Sequence, residues 1–360
     1  MRFLPELDVS WYYLADEPAQ QAREKRKWLG ERLTPGELLS DLSARSRFLP
    51  GSNERVREIV AQMNADLYWV VGHYEGISVA AELEEQSKPV HLTIHDDPLG
   101  TWMRSDRYRW FQPLLERTFP RVLRGAKNVD VTSWGMRNLY RQMYGVKCFA
   151  VYLHVAELPS LRVAADFRKL TIGHIGTLYH HEPFERFLGA SRQIATEQKR
   201  ELRVIRIGAS PELDVFSKRH PESFELHGDL DEKAAIPLLA SCDLLYVMYP
   251  SGKKFERFRR TSLPIKLSSY VQAQRPIFAQ APPDSTLARI VGPWQVGKVC
   301  ESDDQAAIEA QLAEALRTDV PRENFERLRS DLMGVDQVKQ LGAALRGEDW
   351  SVYPEHDFRA

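Results

Sequence analysis

The sequence contains few cysteines, almost no net charge and no long apolar run. Its 360 residues include three cysteines, Cys148, Cys242 and Cys300, which are far apart and odd in number. This pattern does not indicate a disulfide framework, and we expect buried, reduced thiols in a cytoplasmic chain. No apolar run approaches the ~20 residues of a membrane-spanning helix. The first residues also lack the basic start and apolar run of a signal peptide.

The charge balance excludes a strong general attraction to polyanions. The chain has 49 Lys and Arg against 50 Asp and Glu, a formal net charge of -1. We therefore expect no nucleic-acid partner, although an even charge balance is still compatible with a local cluster of basic residues. The length is sufficient for two domains of ordinary size, each with its own core.

Short apolar strands alternate with helices along most of the chain. The strand candidates are DLYWVVG, PVHLTIH, NVDVTS and KCFAVYLHV in the first half, and LTIGHIG, LRVIRIG, SFELHG, DLLYVMYP and RPIFAQ in the second. Such alternation predicts βαβ units and parallel sheets that are covered on both faces. The fold class is therefore α/β with two doubly wound domains. In the first fifty residues only DVSWYYL reads as a strand, beside two loosely placed helical segments.

The break in this alternation predicts the domain boundaries. Residues 156–169 contain no strong strand and are taken as a linker. We expect one domain over residues 1–155 and a second over 170–318. Helices over 319–360 then pack back on one of the two, with the first domain as the candidate. Ligands of doubly wound sheets bind beyond the carboxyl ends of the strands, in this case in the crevice between the domains.

The segment after LTIGHIG is the first candidate for ligand contact. A glycine at a strand end, here Gly176, lets a ligand approach the backbone, so that the following amides, near Thr177 and Leu178, can face a phosphate. The alternative is a glycine that only permits a turn. The glycine spacing does not match G-x-G-x-x-G, which counts against a dehydrogenase.

The stretch TSLPIKLSSYVQAQRPIFA, residues 261–279, is the second candidate. Ser262 before Pro264 predicts a helix start with the hydroxyl as cap. Lys266 then lies in the first helical turn, where a cation opposes the positive end of the helix dipole unless an anion is bound there. A phosphate ligand would account for this lysine.

Two further post-strand segments carry polar residues. Gly228, Asp229 and Leu230 follow SFELHG, and either Asp229 or Asp231 is expected to cap the next helix. Tyr249 and Pro250 end DLLYVMYP and precede a basic loop. The loop cations are Lys253, Lys254, Arg257, Arg259 and Arg260. Such a loop is either simply solvated, an electropositive funnel for an anionic ligand, or a contact to an acidic membrane surface.

Histidines give the remaining candidates. His95 and Asp96 follow PVHLTIH, where a side chain can point into the crevice or hydrogen-bond its own loop. His180 and His181 precede Glu182 at a helix start. Adjacent side chains there rarely face one ion, and no matching ligand pair follows, so we predict no metal site.

In order and spacing, the segment Leu170–Ala279 resembles the nucleotide-sugar-dependent glycosyltransferases of the GT-B fold. The resemblance is strongest to those that build bacterial surface polysaccharides, in the retaining, glycogen-synthase-like group. It rests on LTIGHIGTL, on FELHGDLDEKAAIPLLASCDLLYVMYP, and on a Ser-x-Pro-x-Lys-Leu pattern followed by an aromatic residue and Arg-Pro. The residues of this last pattern are Ser262, Pro264, Lys266, Leu267, Tyr270, Arg275 and Pro276. HLTIHDD and VDVTSWGMRNLYRQMYGV look like the matching parts of the first domain.

The resemblance implies roles for individual residues. Lys266 and the amides near Gly176 would hold the donor diphosphate, and His95 would lie beside the transferred sugar, so these two side chains are the implied catalytic residues. Asp96 and His180 are candidate sugar or acceptor contacts. The implied donor-binding residues are Gly176, Thr177, Leu178, Gly228, Asp229, Leu230, Tyr249, Pro250, Ser262, Pro264, Ile265 and Ser269.

The chain also departs from the family pattern. Ser269 stands where many relatives carry a Glu that grips the nucleotide ribose, and Gln274 replaces a usual Gly. The Gly-rich loop near the acceptor is not found in the first fifty residues. These departures leave open the nucleotide, the acceptor, and whether the chain is truncated at that end.

Three functions are therefore weighed. The leading expectation is sugar transfer from a nucleoside-diphosphate sugar to a saccharide or lipid-linked acceptor, without a cofactor or metal, in the cytoplasm or at the inner face of a membrane. A nucleotide-sugar epimerase of the same fold would need no acceptor. A scaffold subunit that has lost the ribose-gripping Glu would bind nucleotide weakly and turn nothing over.

Overall fold

The computed structural model describes residues 54–72, 76–101, 112–161, 166–353 and 355, which fall into two compact units. Within these ranges the first unit contains the residues up to Val151 together with Val338–Glu355, and the second contains Tyr152–Gln337. The strand predicted at DVSWYYL and the neighbouring helical segments lie outside the described residues.

The first unit is built on a parallel sheet. Its elements are α1 (Glu54–Gln62), β1 (Tyr68–Val71), α2 (Gly76–Glu85), β2 (Val90–Ile94), α3 (Pro98–Thr101), α4 (Gln112–Gly125), β3 (Asn128–Val131), α5 (Trp134–Tyr144) and β4 (Phe149–Ala150). The described strands pair in the order β1-β2-β3-β4, all parallel. All five residues of β2 are buried, as expected for a parallel strand covered on both faces.

The second unit contains the larger sheet. Its elements are β5 (Lys169–Ile175), α6 (His181–Glu197), β6 (Glu201–Ile207), α7 (Pro211–Arg219), β7 (Phe224–His227), α8 (Glu232–Ala240), β8 (Leu244–Met248), α9 (Glu256–Thr261), α10 (Lys266–Ala273), β9 (Ile277–Gln280), α11 (Ala288–Val291), β10 (Gly297–Cys300), α12 (Gln305–Ala315) and α13 (Arg322–Met333). A last helix, α14, spans Val335–Arg346.

The strand order of this sheet locates its ligand-binding edge. The six strands run β10-β9-β8-β5-β6-β7, and all neighbouring pairs are parallel. The chain starts at β5, continues outward through β6 and β7, and then returns to pair β8 on the other side of β5. This is the topological switch point of a doubly wound sheet, where the carboxyl ends of the strands leave a crevice.

The final helices divide between the two units. In the second unit, α13 is held by Trp294 Nε1, which donates to Asp331 Oδ2 at 2.9 Å. In the first unit, α14 is held by Asn128 Nδ2, which donates to the Ala344 carbonyl oxygen at 3.0 Å. The ring of Trp350 packs 4.6 Å from that of Phe149, centroid to centroid. The last described segment thereby covers the aromatic face of β4.

The structure corrects the predicted start of the helix that carries Lys266. Ser262 is an extended residue that ends α9, so the prediction that it caps the next helix is wrong. The helix α10 begins at Lys266, and the Leu267 and Ser268 amides donate to the carbonyl oxygens of Pro264 and Ile265. These tight bonds satisfy the first turn without a hydroxyl cap.

The predicted basic loop is also mostly helical. Residues Lys253–Phe255 form a 3-10 turn that leads directly into α9. Arg259 makes a two-pronged ion pair with Asp284, at 2.7 and 2.8 Å. This pair counts against the simply solvated alternative, because the charge of Arg259 is neutralised within the protein.

Two other local expectations, a capping aspartate and buried cysteines, are confirmed. Asp231 caps α8 by accepting a hydrogen bond from the Ala234 amide at 2.9 Å. All three cysteines are buried with free thiols. Among the described residues, no helix is both long and apolar enough to cross a membrane.

Candidate functional site

Two glycines in the left-handed conformation bring the ends of β5 and β6 together. Gly176 has φ +73° and Gly208 has φ +80°, values that a side chain would strain. A β-carbon on Gly208 would lie 3.7 Å from the Gly176 nitrogen. Gly176 was predicted as a site residue and Gly208 was not, although LRVIRIG carries the same signal of a glycine that ends a strand.

The Lys266 side chain reaches this glycine turn from α10. Its ammonium donates to the Thr177 carbonyl oxygen at 2.7 Å and lies 3.3 Å from His174 Nε2. It also lies 5.7 Å from the centre of the Tyr179 ring. Burial lowers the pKa of Lys266 to about 7. The structure thus places the predicted lysine against the predicted Gly176–Thr177 turn, at the switch point of the sheet.

Two of the three backbone amides predicted to face a phosphate are used within the protein. The Gly176 amide donates to the Ile207 carbonyl oxygen at 2.9 Å. The Leu178 amide donates to Ser210 Oγ at 3.2 Å, and its side chain is buried in the core. Among the residues that the structure describes, no acceptor receives the Thr177 amide. The end of β6 and its connection to α7 supply the acceptors for the Gly176 and Leu178 amides, so only the Thr177 amide stays a candidate for a phosphate.

Tyr270 anchors Lys266 by fixing the helix that carries it. Its hydroxyl donates to the Tyr246 carbonyl oxygen at 2.7 Å and accepts from the Ile175 amide at 3.4 Å. Residues four apart on a helix share a face, so Tyr270 and Lys266 both point toward β5 and β8. The sequence motif included this tyrosine only as an aromatic, and the structure shows that its hydroxyl links α10 to two strands.

Tyr249 and Pro250 lie in the core. The Tyr249 ring is 2% exposed and packs 5.5 Å from Tyr179 and 5.3 Å from Phe258, centroid to centroid. Tyr179 and Phe258 are themselves 5.3 Å apart, so the three rings form one cluster. A direct ligand contact by the Tyr249 side chain would require this cluster to open. Tyr179 was not predicted to have a role, although it is the member of this cluster whose ring lies near the Lys266 ammonium.

The other predicted residues near α10 differ in exposure. Pro264 is buried, and its carbonyl oxygen accepts a hydrogen bond from the Tyr152 hydroxyl at 2.5 Å. Ile265 is 71% exposed, and Ser269 is half-buried on α10. Ser262 is buried and belongs to the end of α9. Ile265 and Ser269 are therefore the members of this group that retain accessible surface.

The turn after β7 lies beside the two glycines. Gly228 and Asp229 are exposed and Leu230 is half-buried. The Gly208 amide donates to the carbonyl oxygens of His227 and Gly228, at 3.1 and 3.2 Å. A β-carbon on Gly208 would lie 3.5 Å from Asp229 Oδ1. The turns after β5, β6 and β7 thus form one continuous edge.

His180 precedes α6 and contacts rings on both sides. Its ring stacks on His181 with 5.3 Å between centroids, and it meets Phe255 edge-on at 6.2 Å. In the part of the chain that the structure describes, no group of three or more His, Cys, Asp or Glu is arranged to hold a metal ion.

The predicted His95 loop belongs to the first unit. His95 is exposed at the end of β2, and its carbonyl oxygen accepts from Thr132 Oγ1 at 2.5 Å. Asp96 is half-buried. Asp97 is buried and holds the loop, since it accepts from the Tyr140 hydroxyl at 2.8 Å and the Gly100 amide at 2.5 Å. Hydrogen bonding within the loop, the open alternative, is thus observed for Asp97.

A buried polar pair in the same sheet was not predicted. His91 Nε2 lies 2.7 Å from Asp130 Oδ1, and the Thr93 hydroxyl donates to the same oxygen at 2.5 Å. Trp69 Nε1 donates to Thr93 Oγ1 at 2.8 Å. These hydrogen bonds link paired strands and stabilise the sheet, while His91 Nδ1 is buried without a partner among the described residues.

Comparison with known proteins gives structural neighbours only. No protein-family model matches the chain, and no curated protein matches it. Sucrose-phosphate synthase from Thermosynechococcus elongatus is similar in structure, with a TM-score of 0.62 and 12% identity over 88% of this chain and 80% of that one.

Two further neighbours cover more than four fifths of this chain. The pneumococcal O-GlcNAc transferase GtfA, solved with UDP and GlcNAc, has a TM-score of 0.59 and 11% identity over 82% of this chain and 60% of its own. A TarM variant from S. aureus, solved with fondaparinux, α-GlcNAc-glycerol and UDP, has a TM-score of 0.54 and 10% identity over 81% of this chain and 58% of its own. The chain therefore spans only about three fifths of these two neighbours.

At this level of identity the comparisons establish the fold. The chain has the two parallel-sheet α/β units of the GT-B fold, which confirms the predicted fold class.

Proposed function

We propose that this chain is a glycosyltransferase that moves a sugar from a nucleoside-diphosphate sugar to a saccharide or lipid-linked acceptor, in polysaccharide or glycoconjugate synthesis. The observation that carries the proposal is the contact of the Lys266 ammonium with the Gly176–Thr177 turn, at the switch point of the larger sheet. The GT-B fold and the transferases among its structural neighbours support the same reaction class.

The lysine supplies the charge that such a reaction requires. Loss of a nucleoside diphosphate from the sugar leaves negative charge on the departing phosphate. A preorganised cation in a partly dry site stabilises that charge most effectively. Lys266 and the Thr177 amide would do this without a metal ion, and Asp229 lies on exposed surface at the same edge.

UDP is the first nucleotide to test, because GtfA and TarM were both solved with UDP. Toward the sugar we keep the roles of His95 and Asp96 as positioning and polarising groups and that of His180 as a candidate contact. A His95→Ala variant that binds nucleotide normally but transfers sugar much more slowly would support this assignment.

Thermal melting with UDP, GDP, dTDP and CDP, each with and without EDTA, tests the donor site. A ligand at 100 times its dissociation constant stabilises the folded state by about 2.7 kcal/mol, a shift of several degrees. We expect one nucleotide to shift the wild type, with EDTA making no difference. Lys266→Met should lose the shift, whereas Lys218→Met, at an exposed lysine on α7, should keep it.

The absence of a shift with every nucleotide would contradict the proposed donor site. A shift that disappears with EDTA would instead contradict the metal-independent form of the proposal. Once a donor is identified, release of its nucleotide should depend on an added saccharide or lipid-linked acceptor. Acceptor-independent rearrangement of the donor sugar would point to an epimerase.

A further inference from the structure

His174 is a buried histidine in the middle of the candidate site, and the proposed reaction gives it no role. It lies on β5, two residues before Gly176, and is 1% exposed. Its Nδ1 lies 3.1 Å from the Tyr246 carbonyl oxygen. Its Nε2 lies 3.1 Å from the Gly176 carbonyl oxygen and 3.3 Å from Lys266 Nζ. Both ring nitrogens therefore face defined polar atoms.

These contacts indicate which nitrogen carries the proton. Burial, and then the positive charge of Lys266, lower the pKa of His174 well below its usual range, so the ring is neutral. A neutral imidazole has one donor nitrogen and one acceptor nitrogen. Nδ1 faces a carbonyl oxygen and no donor among the described residues, whereas Nε2 faces carbonyl oxygens and the lysine, so the proton is assigned to Nδ1, which donates to Tyr246. Nε2 is then the acceptor and receives a hydrogen bond from Lys266. This hydrogen bond offsets the repulsion between the Nε2 lone pair and the Gly176 carbonyl oxygen.

The same geometry accounts for the donors of the lysine. An ammonium has three N–H donors. One goes to the Thr177 carbonyl oxygen and a second to His174 Nε2. In the described part of the chain no acceptor takes the third, so this donor is available to a ligand.

We infer that His174 is a positioning residue, whose Nε2 atom holds the Lys266 ammonium against the Thr177 turn so that the remaining N–H points at the phosphate of the ligand. This inference rests on the proposed function, because it assigns the second anchor of the phosphate-binding lysine. It also gives a role to a buried histidine on a strand where Leu170 and Ile172 are fully buried.

Two substitutions separate this role from a structural one. In His174→Asn the amide nitrogen can replace Nδ1 and keep the bond to Tyr246, but the contact with Lys266 is lost. In His174→Gln the amide oxygen can replace Nε2 and accept from Lys266, but the bond to Tyr246 is lost. A role in positioning the lysine and a role in holding the strand therefore predict opposite orders of nucleotide affinity.

Calorimetric titration with the nucleotide selected by melting gives the readout. We expect His174→Asn to raise the dissociation constant about tenfold, the loss expected for one hydrogen bond to a charged group. His174→Gln should stay within about threefold of the wild type even if its ligand-free melting temperature falls. Equal affinities in the two variants, or weaker binding in Gln than in Asn, would overturn the inference.

A measurement on the wild type keeps the inference testable if either variant does not fold. Nitrogen-15 NMR of the imidazole at pH 7 should show a hydrogen on Nδ1 and a lone pair on Nε2. The titratable groups that face this ring are Lys266 and Tyr246. A ring protonated on Nε2 would refute the arrangement. If the wild type binds neither a nucleoside diphosphate nor inorganic pyrophosphate, the proposed function fails, whereas the tautomer still decides the His174–Lys266 contact.

Discussion

The lowered pKa of Lys266 predicts that donor binding weakens as pH rises. Only the ammonium form attracts a diphosphate, and burial brings the pKa of this amine from 10.5 to about 7 in the ligand-free chain. The fraction charged then falls from about one quarter at pH 7.5 to about one hundredth at pH 9. Binding above pH 7 must therefore be accompanied by uptake of a proton, which the bound anion favours.

From these fractions the affinity for a nucleoside diphosphate should fall about twentyfold between pH 7.5 and pH 9. The phosphate itself has its last ionisation at a pKa of about 6, so its charge is constant over this range. Isothermal titration in two buffers of different ionisation enthalpy measures both the affinity and the proton uptake. We expect somewhat less than one proton taken up at pH 7.5, approaching one at pH 9.

Lys266→Arg is the matched control. A guanidinium stays charged throughout this range, so the pH dependence of binding should disappear even if the altered shape reduces the affinity. If the wild type binds equally well at pH 7.5 and pH 9, or if both proteins show the same decline, then Lys266 does not determine the charge of the site.

Three further predictions test the supporting structure. Gly208→Ala should destabilise the chain by about 1–2 kcal/mol because of its positive φ, and it should also weaken nucleotide binding. Gly145 in the first unit also has a positive φ but lies in open space, so Gly145→Ala should affect stability alone. Melting with and without nucleotide distinguishes the two variants. Tyr270→Phe should cost about 1–3 kcal/mol in urea unfolding, because the Tyr246 carbonyl oxygen loses one of its two donors and the Ile175 amide loses its acceptor. A wild-type midpoint would contradict that. Arg259→Ala should lower the free energy of unfolding by about 1–3 kcal/mol, because its two-pronged pair with Asp284 is lost. Lys253 is exposed, so Lys253→Ala should change that free energy by less than about 0.5 kcal/mol. Equal effects of the two substitutions would contradict a stabilising role for the Arg259–Asp284 pair.

The sequence predicted the buried strands correctly but misplaced the start of the helix that carries Lys266. Buried parallel strands are continuous apolar runs, and the segments containing β5 and β8 were predicted for that reason. The helix start was placed wrongly because Ser262 could either cap the following helix or end the preceding one. Local sequence does not distinguish these roles, since the choice depends on the tight turn formed by Pro264 and Ile265.

The candidate site was predicted through charge and backbone conformation rather than through packing. A lysine in a first helical turn and a glycine after a strand are locally unusual, so Lys266 and Gly176 could be selected from the sequence. His174 could not, because a histidine in an apolar strand has the same local pattern whether it is inert or functional. Its role becomes visible only when the fold brings β5 next to α10.

The division of the first unit between two chain segments restricts how the protein can be dissected or recombined. Phe149 is covered by Ala343, Ala344 and Trp350, which are supplied from nearly two hundred residues later in the chain. A fragment that stops at Val151 would expose this aromatic face to water and is expected to aggregate. An exchange of the first unit between homologous genes would therefore require two crossover points, one near Val151 and one near Val338, and a single crossover would produce a hybrid whose β4 face meets a foreign helix.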